Sequence, residues 1–151
     1  MKIGALLLEN PTILAPLAGI TDLPFRLLAR EAGCALVTSE MVSADGLVHG
    51  SAATFDLLRS RPQEEPLAVQ IFGADPGVMA EAAAIAADSG AAVVDLNFGC
   101  AVRKVVRAGA GVALMRSPRT AEAVLRAVRR AVKLPLTIKI RSGWERSGRE
   151  A

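Results

Sequence analysis

Five short apolar runs punctuate the chain, at about residues 12–17, 35–40, 67–72, 92–97 and 135–141, and each reads as a strand. Segments with helix-boundary chemistry separate them. Asp75-Pro76 supplies an N-cap and a proline at the first helical position, and Gly90 closes that segment. Ser117-Pro118 repeats the device ahead of a helix running to about Lys133. Asp22 and Pro24 open another that ends near Gly33, and a short helix is expected between Ser51 and Arg59. Strand and helix alternating at this spacing predict right-handed βαβ units and a parallel sheet, an α/β fold.

Side-chain parity narrows the choice of α/β fold. Thr137, Lys139 and Arg141 share one strand face, with Ile138 and Ile140 on the other. Val93, Asp95 and Asn97 oppose Val94 and Leu96, and Gln70 opposes Val69 and Ile71. Each strand therefore has an apolar face and a face that turns polar toward its carboxyl end. A (β/α)8 TIM barrel predicts this pattern, with helices outside and an active site at one rim. A doubly wound sheet is disfavoured, since Pro16-Leu17-Ala18-Gly19 is not a glycine-rich phosphate turn. Such a barrel takes about 250 residues. The 151 residues here therefore read as its first five β/α units, the N-terminal portion of a longer catalytic domain.

The most chemical stretch is Asp95-Leu96-Asn97-Phe98-Gly99-Cys100, where a strand opens into a loop carrying Gly109 and Gly111. Ligands and catalytic groups gather at the carboxyl ends of strands, so a thiol there suggests an acid or a nucleophile. Asp95 reads as a hydrogen-bonded orienter. Cys34 and Cys100 stand far apart without metal-ligand spacing, and His49 is the only histidine, so no metal site and no histidine triad are expected. No apolar run approaches ~18 residues and no signal peptide opens the chain, so the expectation is a cytoplasmic protein with no membrane span.

Charge is split along the chain. Residues 1–100 carry 5 Lys/Arg against 12 Asp/Glu, and residues 101–151 carry 13 against 3. An electropositive surface suited to a phosphate-rich partner and a merely solvated helix face at Arg126, Arg129, Arg130 and Lys133 are equally good readings. Arg103, Lys104 and Arg107, directly after Cys100, are the better nucleic-acid candidates.

Six ordered motifs then carry a resemblance. Leu14-Ala15-Pro16-Leu17-Ala18-Gly19-Ile20-Thr21-Asp22-Leu23-Pro24-Phe25-Arg26 comes first, followed by Ser39-Glu40-Met41-Val42 and Val69-Gln70-Ile71-Phe72-Gly73. Asn97-Phe98-Gly99-Cys100, Gly109-Ala110-Gly111 and Lys139-Ile140-Arg141-Ser142-Gly143-Trp144 complete the series. Together they resemble the tRNA-dihydrouridine synthase family, in its bacterial B-type branch. The resemblance implies an FMN-dependent reductase of uridine in tRNA, with NADPH or NADH as reductant. It also implies a C-terminal helical tRNA-binding domain and a phosphate-holding part of the barrel beyond the residues given. On matching positions, Pro16, Leu17 and Ala18 would line the flavin ring, while Gln70 and Lys139 would hydrogen-bond it. Cys100 would protonate uracil C5 as hydride reaches C6, with Asn97 and Arg141 gripping the uracil edge. The family usually has proline after this cysteine, where Ala101 stands here.

The chemistry suits those residue types. Hydride addition at C6 builds negative charge over C5 and the C4 carbonyl, which calls for a nearby proton donor. A thiol, ordinarily titrating near ~8.5, is mostly protonated at neutrality and can donate. A lysine beside the flavin stabilises its anionic reduced form. Rival readings are a Schiff-base aldolase built on Lys139, a flavin barrel of the dihydropyrimidine or dihydroorotate dehydrogenase type, and a truncated, non-catalytic fragment. Five strands alone would leave open edges, so self-association of the chain is expected.

Overall fold

The structure, a computed structural model, describes residues 1–143, so Trp144 and the chain end at Glu150-Ala151 lie outside the described residues. A parallel sheet holds the molecule together. Its strands run in sequence order, β3 (Val37–Ser43), β4 (Leu67–Phe72), β5 (Val93–Asn97) and β6 (Leu136–Lys139). The parallel α/β expectation is met by these four strands. The run at 12–17 behaves differently: it touches the sheet through one parallel bridge, Ile13 to Leu36. Leu14 N–H bonds Leu36 O at 2.9 Å and Ala35 N–H bonds Thr12 O at 3.1 Å. Pro11 and Pro16 bracket the segment, and proline cannot donate to a ladder, so pairing stops after these contacts.

An antiparallel hairpin, β1 (Lys2–Ile3) with β2 (Leu6–Leu7), precedes that segment. Its strands are too short for an alternation signal to develop in the sequence. The hairpin seals the amino ends of the sheet's inner face: Ile3, Leu6 and the buried Leu8 pack with Ala35, Leu36, Ala68 and Val93. Gly4 lies so close to Pro135 that a Cβ there would sit 3.3 Å from the proline ring.

Helices cover the other face. α1 (Leu23–Glu31) begins at Asp22, whose side chain accepts from Phe25 N–H at 3.0 Å. Two five-residue helices follow β3, α2 (Ala44–Val48) and α3 (Ala52–Asp56). α4 (Pro76–Asp88) starts on Asp75, which accepts from Val78 N–H at 2.9 Å, a cap worth about 1 kcal/mol. α6 (Pro118–Ala131) has the expected proline, but Ser117 does not cap it. That hydroxyl bonds Thr120 Oγ1 instead, at 2.8 Å. Between them, α5 (Arg103–Arg107) follows Cys100.

Val69 and Ile71 of β4 and Val94 and Leu96 of β5 meet Ala82, Ala83 and Ala86 of α4 and Val124 and Val128 of α6, all fully or almost fully buried. Small residues on α4 let α6 approach closely. Each large aliphatic side chain buried here contributes about 1.5–3 kcal/mol. The opposite parity, Gln70, Asp95 and Asn97, is left for the inner face.

One buried pair has no signature in the sequence. Arg26 on α1 places its guanidinium on Glu64, with Nε–Oε2 at 2.5 Å and Nη2–Oε1 at 3.1 Å, and bonds Thr21 O and Arg59 O as well. It is 2% exposed and its partner is fully buried. The pair ties α1 to the turn that leads into β4.

Candidate functional site

The carboxyl ends of the strands open into a cleft of about 230 Å³. Pro16, Leu17 and Ala18 form one wall. Gln70, Asn97, Cys100, Lys139 and Arg141 come in from β4, β5, β6 and the loops that follow them. All eight residues singled out in the sequence therefore line one cavity. A second cavity, about 290 Å³, shares Pro16 and Lys139 and runs down the inner face past Asp95 and Thr137. A larger hollow of about 440 Å³ lies at the opposite end, beside the hairpin, and holds none of the eight.

The wall at 16–18 is held by two devices. Thr21, fully buried, accepts from Leu17 N–H at 3.1 Å and donates to Leu17 O at 3.2 Å. Glu40 accepts a hydrogen bond from Gly19 N–H through its carboxylate. Glu40 can reach because β3 carries one extra residue between Thr38 and Met41 relative to β4. At that bulge Ser39 Oγ accepts from Gln70 N–H at 3.1 Å and donates to Glu40 O at 2.7 Å, so a side chain completes the ladder. The bulge also turns Met41 into the cleft.

Gln70 is fully buried. Its Nε2 donates to Asp95 Oδ2 at 2.6 Å and its Oε1 accepts from Asn97 Nδ2 at 2.8 Å. Thr137 Oγ1 donates to Asp95 Oδ1 at 2.5 Å. Burial raises the Asp95 carboxyl above its ordinary value of 3.8, against the bonds from Thr137 and Gln70 and the charge of Lys139, which pull the other way. Asp95 thus occupies the orienting place expected of it. Thr137 is a site residue that the sequence reading did not single out, although it shares a strand face with Lys139.

Cys100 sits half-buried at the cleft with a free thiol. Asn97 Oδ1 accepts from its backbone N–H at 2.8 Å and from Gly99 N–H at 3.2 Å, an Asx turn that shapes the loop. Arg141 Nε donates to Gly99 O at 2.6 Å, and Phe98 N–H to Lys139 O at 2.9 Å. Gly111 explains the downstream glycine motif. It has φ +62°, and a Cβ there would lie 2.5 Å from Cys100 O. Val112 N–H then bonds that same carbonyl at 2.9 Å.

Lys139 makes no ion pair among the described residues. Its ammonium and the Gln70 amide lie on the polar side of a cleft whose other lining includes Leu17, Met41 and Val102. A flat heteroaromatic ring with a polar edge fits that donor set. Arg103, Lys104 and Arg107 are exposed beside it on α5. On α6, by contrast, Arg126 pairs with Glu122 and Arg129 bonds Val132 O and Leu134 O. The two halves of the basic charge are thus of different kinds. Among the described residues no cluster of His, Cys, Asp and Glu could hold a metal, and no helix is long and apolar enough to cross a membrane.

Comparison with known proteins shows the family. Residues 13–151 match the model of the dihydrouridine synthase (Dus) family. The chain is 44% identical to tRNA-dihydrouridine synthase B of Pseudomonas aeruginosa, over 99% of its own length and 45% of that protein's. It is 43% identical to tRNA-dihydrouridine synthase B of Xanthomonas campestris, over 96% and 44% respectively. A probable tRNA-dihydrouridine synthase of Rickettsia typhi is 41% identical over the whole chain and 46% of its own length. The chain therefore spans less than half the length of the curated relatives it matches, and it belongs to the dihydrouridine synthase family.

Proposed function

We propose that residues 1–151 form the N-terminal part of an FMN-binding (β/α)8 barrel whose whole protein reduces uridine in tRNA to 5,6-dihydrouridine, with NADPH or NADH as reductant. The observation that carries this reading is the meeting of Cys100, Lys139 and Gln70 in one cleft at the carboxyl ends of the strands. FMN in that cleft would supply hydride to uracil C6. Pro16, Leu17 and Ala18 would pack along the ring, while Gln70 and Lys139 face its polar edge. The Lys139 ammonium stabilises negative charge that develops there.

The Cys100 Sγ–H donates its proton to uracil C5 as charge builds on that carbon. Arg141 reaches the base with the guanidinium nitrogens that are not bonded to Gly99. Asn97 faces the same cleft while holding the loop. Exposed Arg103, Lys104 and Arg107 on α5 supply cations for the phosphates of an RNA chain next to the reacting base. The open side of the sheet supports the barrel. Ile13, Ile138 and Ile140 are each 43–45% exposed, and the further strands and helices of a barrel would cover them. Alone, the 15.7 kDa chain is expected to self-associate and to hold FMN weakly.

The test is Cys100→Ala in the whole protein, assayed on tRNA that carries unreduced uridine. FMN binding should persist while turnover falls by about 10²–10⁴-fold, the usual contribution of a general acid. Turnover at the wild-type rate would remove Cys100 from the mechanism.

A further inference from the structure

The inner-face side chains form one line of hydrogen bonds, and all of them point toward Asp95. Thr137 and Gln70 donate to Asp95, Asn97 donates to Gln70, and the Cys100 N–H donates to Asn97. A carboxylate only accepts. Asp95 therefore makes Gln70 present its NH₂ on one side and its oxygen to Asn97. Asn97 in turn presents its NH₂ to Gln70 and its oxygen to the Cys100 loop. An amide has nearly the same shape when its oxygen and nitrogen exchange places, so packing cannot choose between the two orientations. A reversed Asn97 would set an NH₂ against the Cys100 N–H, donor against donor.

We propose that Asp95 and Gln70 are positioning residues that hold Cys100 in the cleft by setting the polarity of this amide relay. The catalytic meaning of this rests on Cys100 as the proton donor, but the geometry can be tested by itself. Removing one acceptor from a buried line of donors leaves a group unsatisfied, and in the low-dielectric interior that cost passes along the line.

Amide hydrogen exchange resolved at Cys100 and Phe98 reads the relay. Phe98 N–H is held by Lys139 O, a backbone bond in the same loop, and serves as the internal reference. Gln70→Met keeps the length of the side chain but removes both the acceptor for the Asn97 NH₂ and the donor to Asp95. It should speed exchange at Cys100 relative to Phe98 by about tenfold, the factor that goes with one lost buried bond. Asp95→Leu removes the acceptor that orients Gln70, so its ratio should rise in the same direction. Gln70→Glu combined with Asp95→Asn rebuilds the line with the charge moved one place along. The ratio should then return to within about twofold of the parent.

An unchanged ratio in Gln70→Met or in Asp95→Leu overturns the proposal, and so does a double variant that exchanges as fast as Gln70→Met. The double variant decides even where a single one does not fold. A packing role would move Phe98 and Cys100 together and would not respond to moving the charge. Normal turnover by Cys100→Ala with the relay behaving as described would strike only the acid assignment, so the two failures are separable.

Discussion

The Arg26–Glu64 pair and the Asp95 relay are both buried, and both are rich in short hydrogen bonds, yet they differ in charge balance and in what they touch. Arg26 and Glu64 neutralise each other, and the guanidinium's further bonds go to the backbone at Thr21 and Arg59. Among the described residues the pair makes no hydrogen bond to a side chain that lines the cleft, and its tie to that wall runs through Thr21. Among the described residues Asp95 has no cation in direct contact. Its negative charge is met by neutral donors and, at longer range, by Lys139, and its line of bonds ends on the loop of Cys100. A closed and neutral cluster fastens elements together. An open cluster with a net charge gives orientation to whatever lies at its end.

Removing one partner of the closed cluster should have the largest effect. Glu64→Ala strands a buried guanidinium and should lower stability by about 3–5 kcal/mol, measured as a shift in the urea or thermal midpoint. A cost no greater than that of Thr137→Val, which removes one donor from the open cluster, would erase the contrast between the two. Gly111→Ala comes next. A methyl group 2.5 Å from Cys100 O, on a backbone with φ +62°, should cost about 1–3 kcal/mol and loosen the Val112 N–H bond to that carbonyl. Slow exchange at the Val112 amide in a fully stable variant would mean that the close approach is unimportant.

The smallest effect belongs to Asp95 and appears only with pH. Burial first, against the opposing bonds from Thr137 and Gln70 and the charge of Lys139, leaves this carboxyl titrating higher in the folded chain than in the unfolded one. Above that raised value the charged form carries a desolvation penalty that Asp95→Asn lacks. As pH falls through the window between the raised value and 3.8, the folded chain takes up the proton first and the penalty disappears. The stability of the parent relative to Asp95→Asn should therefore rise as pH falls across that window. A gap between them that stays constant from neutral pH downward would show that burial does not govern Asp95.

Period-two alternation makes the site residues legible in the sequence, because Gln70, Asp95, Asn97 and Lys139 break it at the same end of their strands. Asp75 is legible for a similar reason, since its cap depends only on residues three positions apart. What stays hidden depends on distance or on geometry. Glu64 lies 38 residues from Arg26, and no local pattern pairs them. Ser117 has the sequence of a cap, but Thr120 competes for its hydroxyl. The run at 12–17 has strand composition, and its prolines limit it to a bridge. Asn97 carries a further signal, since an asparagine two residues before a glycine and three before a cysteine is placed for an Asx turn onto both.

The extra residue in β3 has a consequence for how this sequence tolerates change. Before it, Thr38 pairs with Ala68 on the inner face; after it, Met41 and not Glu40 pairs with Gln70. Odd and even positions have exchanged sides, so Val37 and Val42 both face the helices although their numbers differ in parity. The strand thus has a reading phase, and residues 39–40 are where it is reset. Deleting one of them would leave that phase intact. The strand would return to plain alternation, with Met41 still at the cleft and Val42 still in the core, and what would be lost is the Ser39 bond to Gln70 or the Glu40 bond to Gly19.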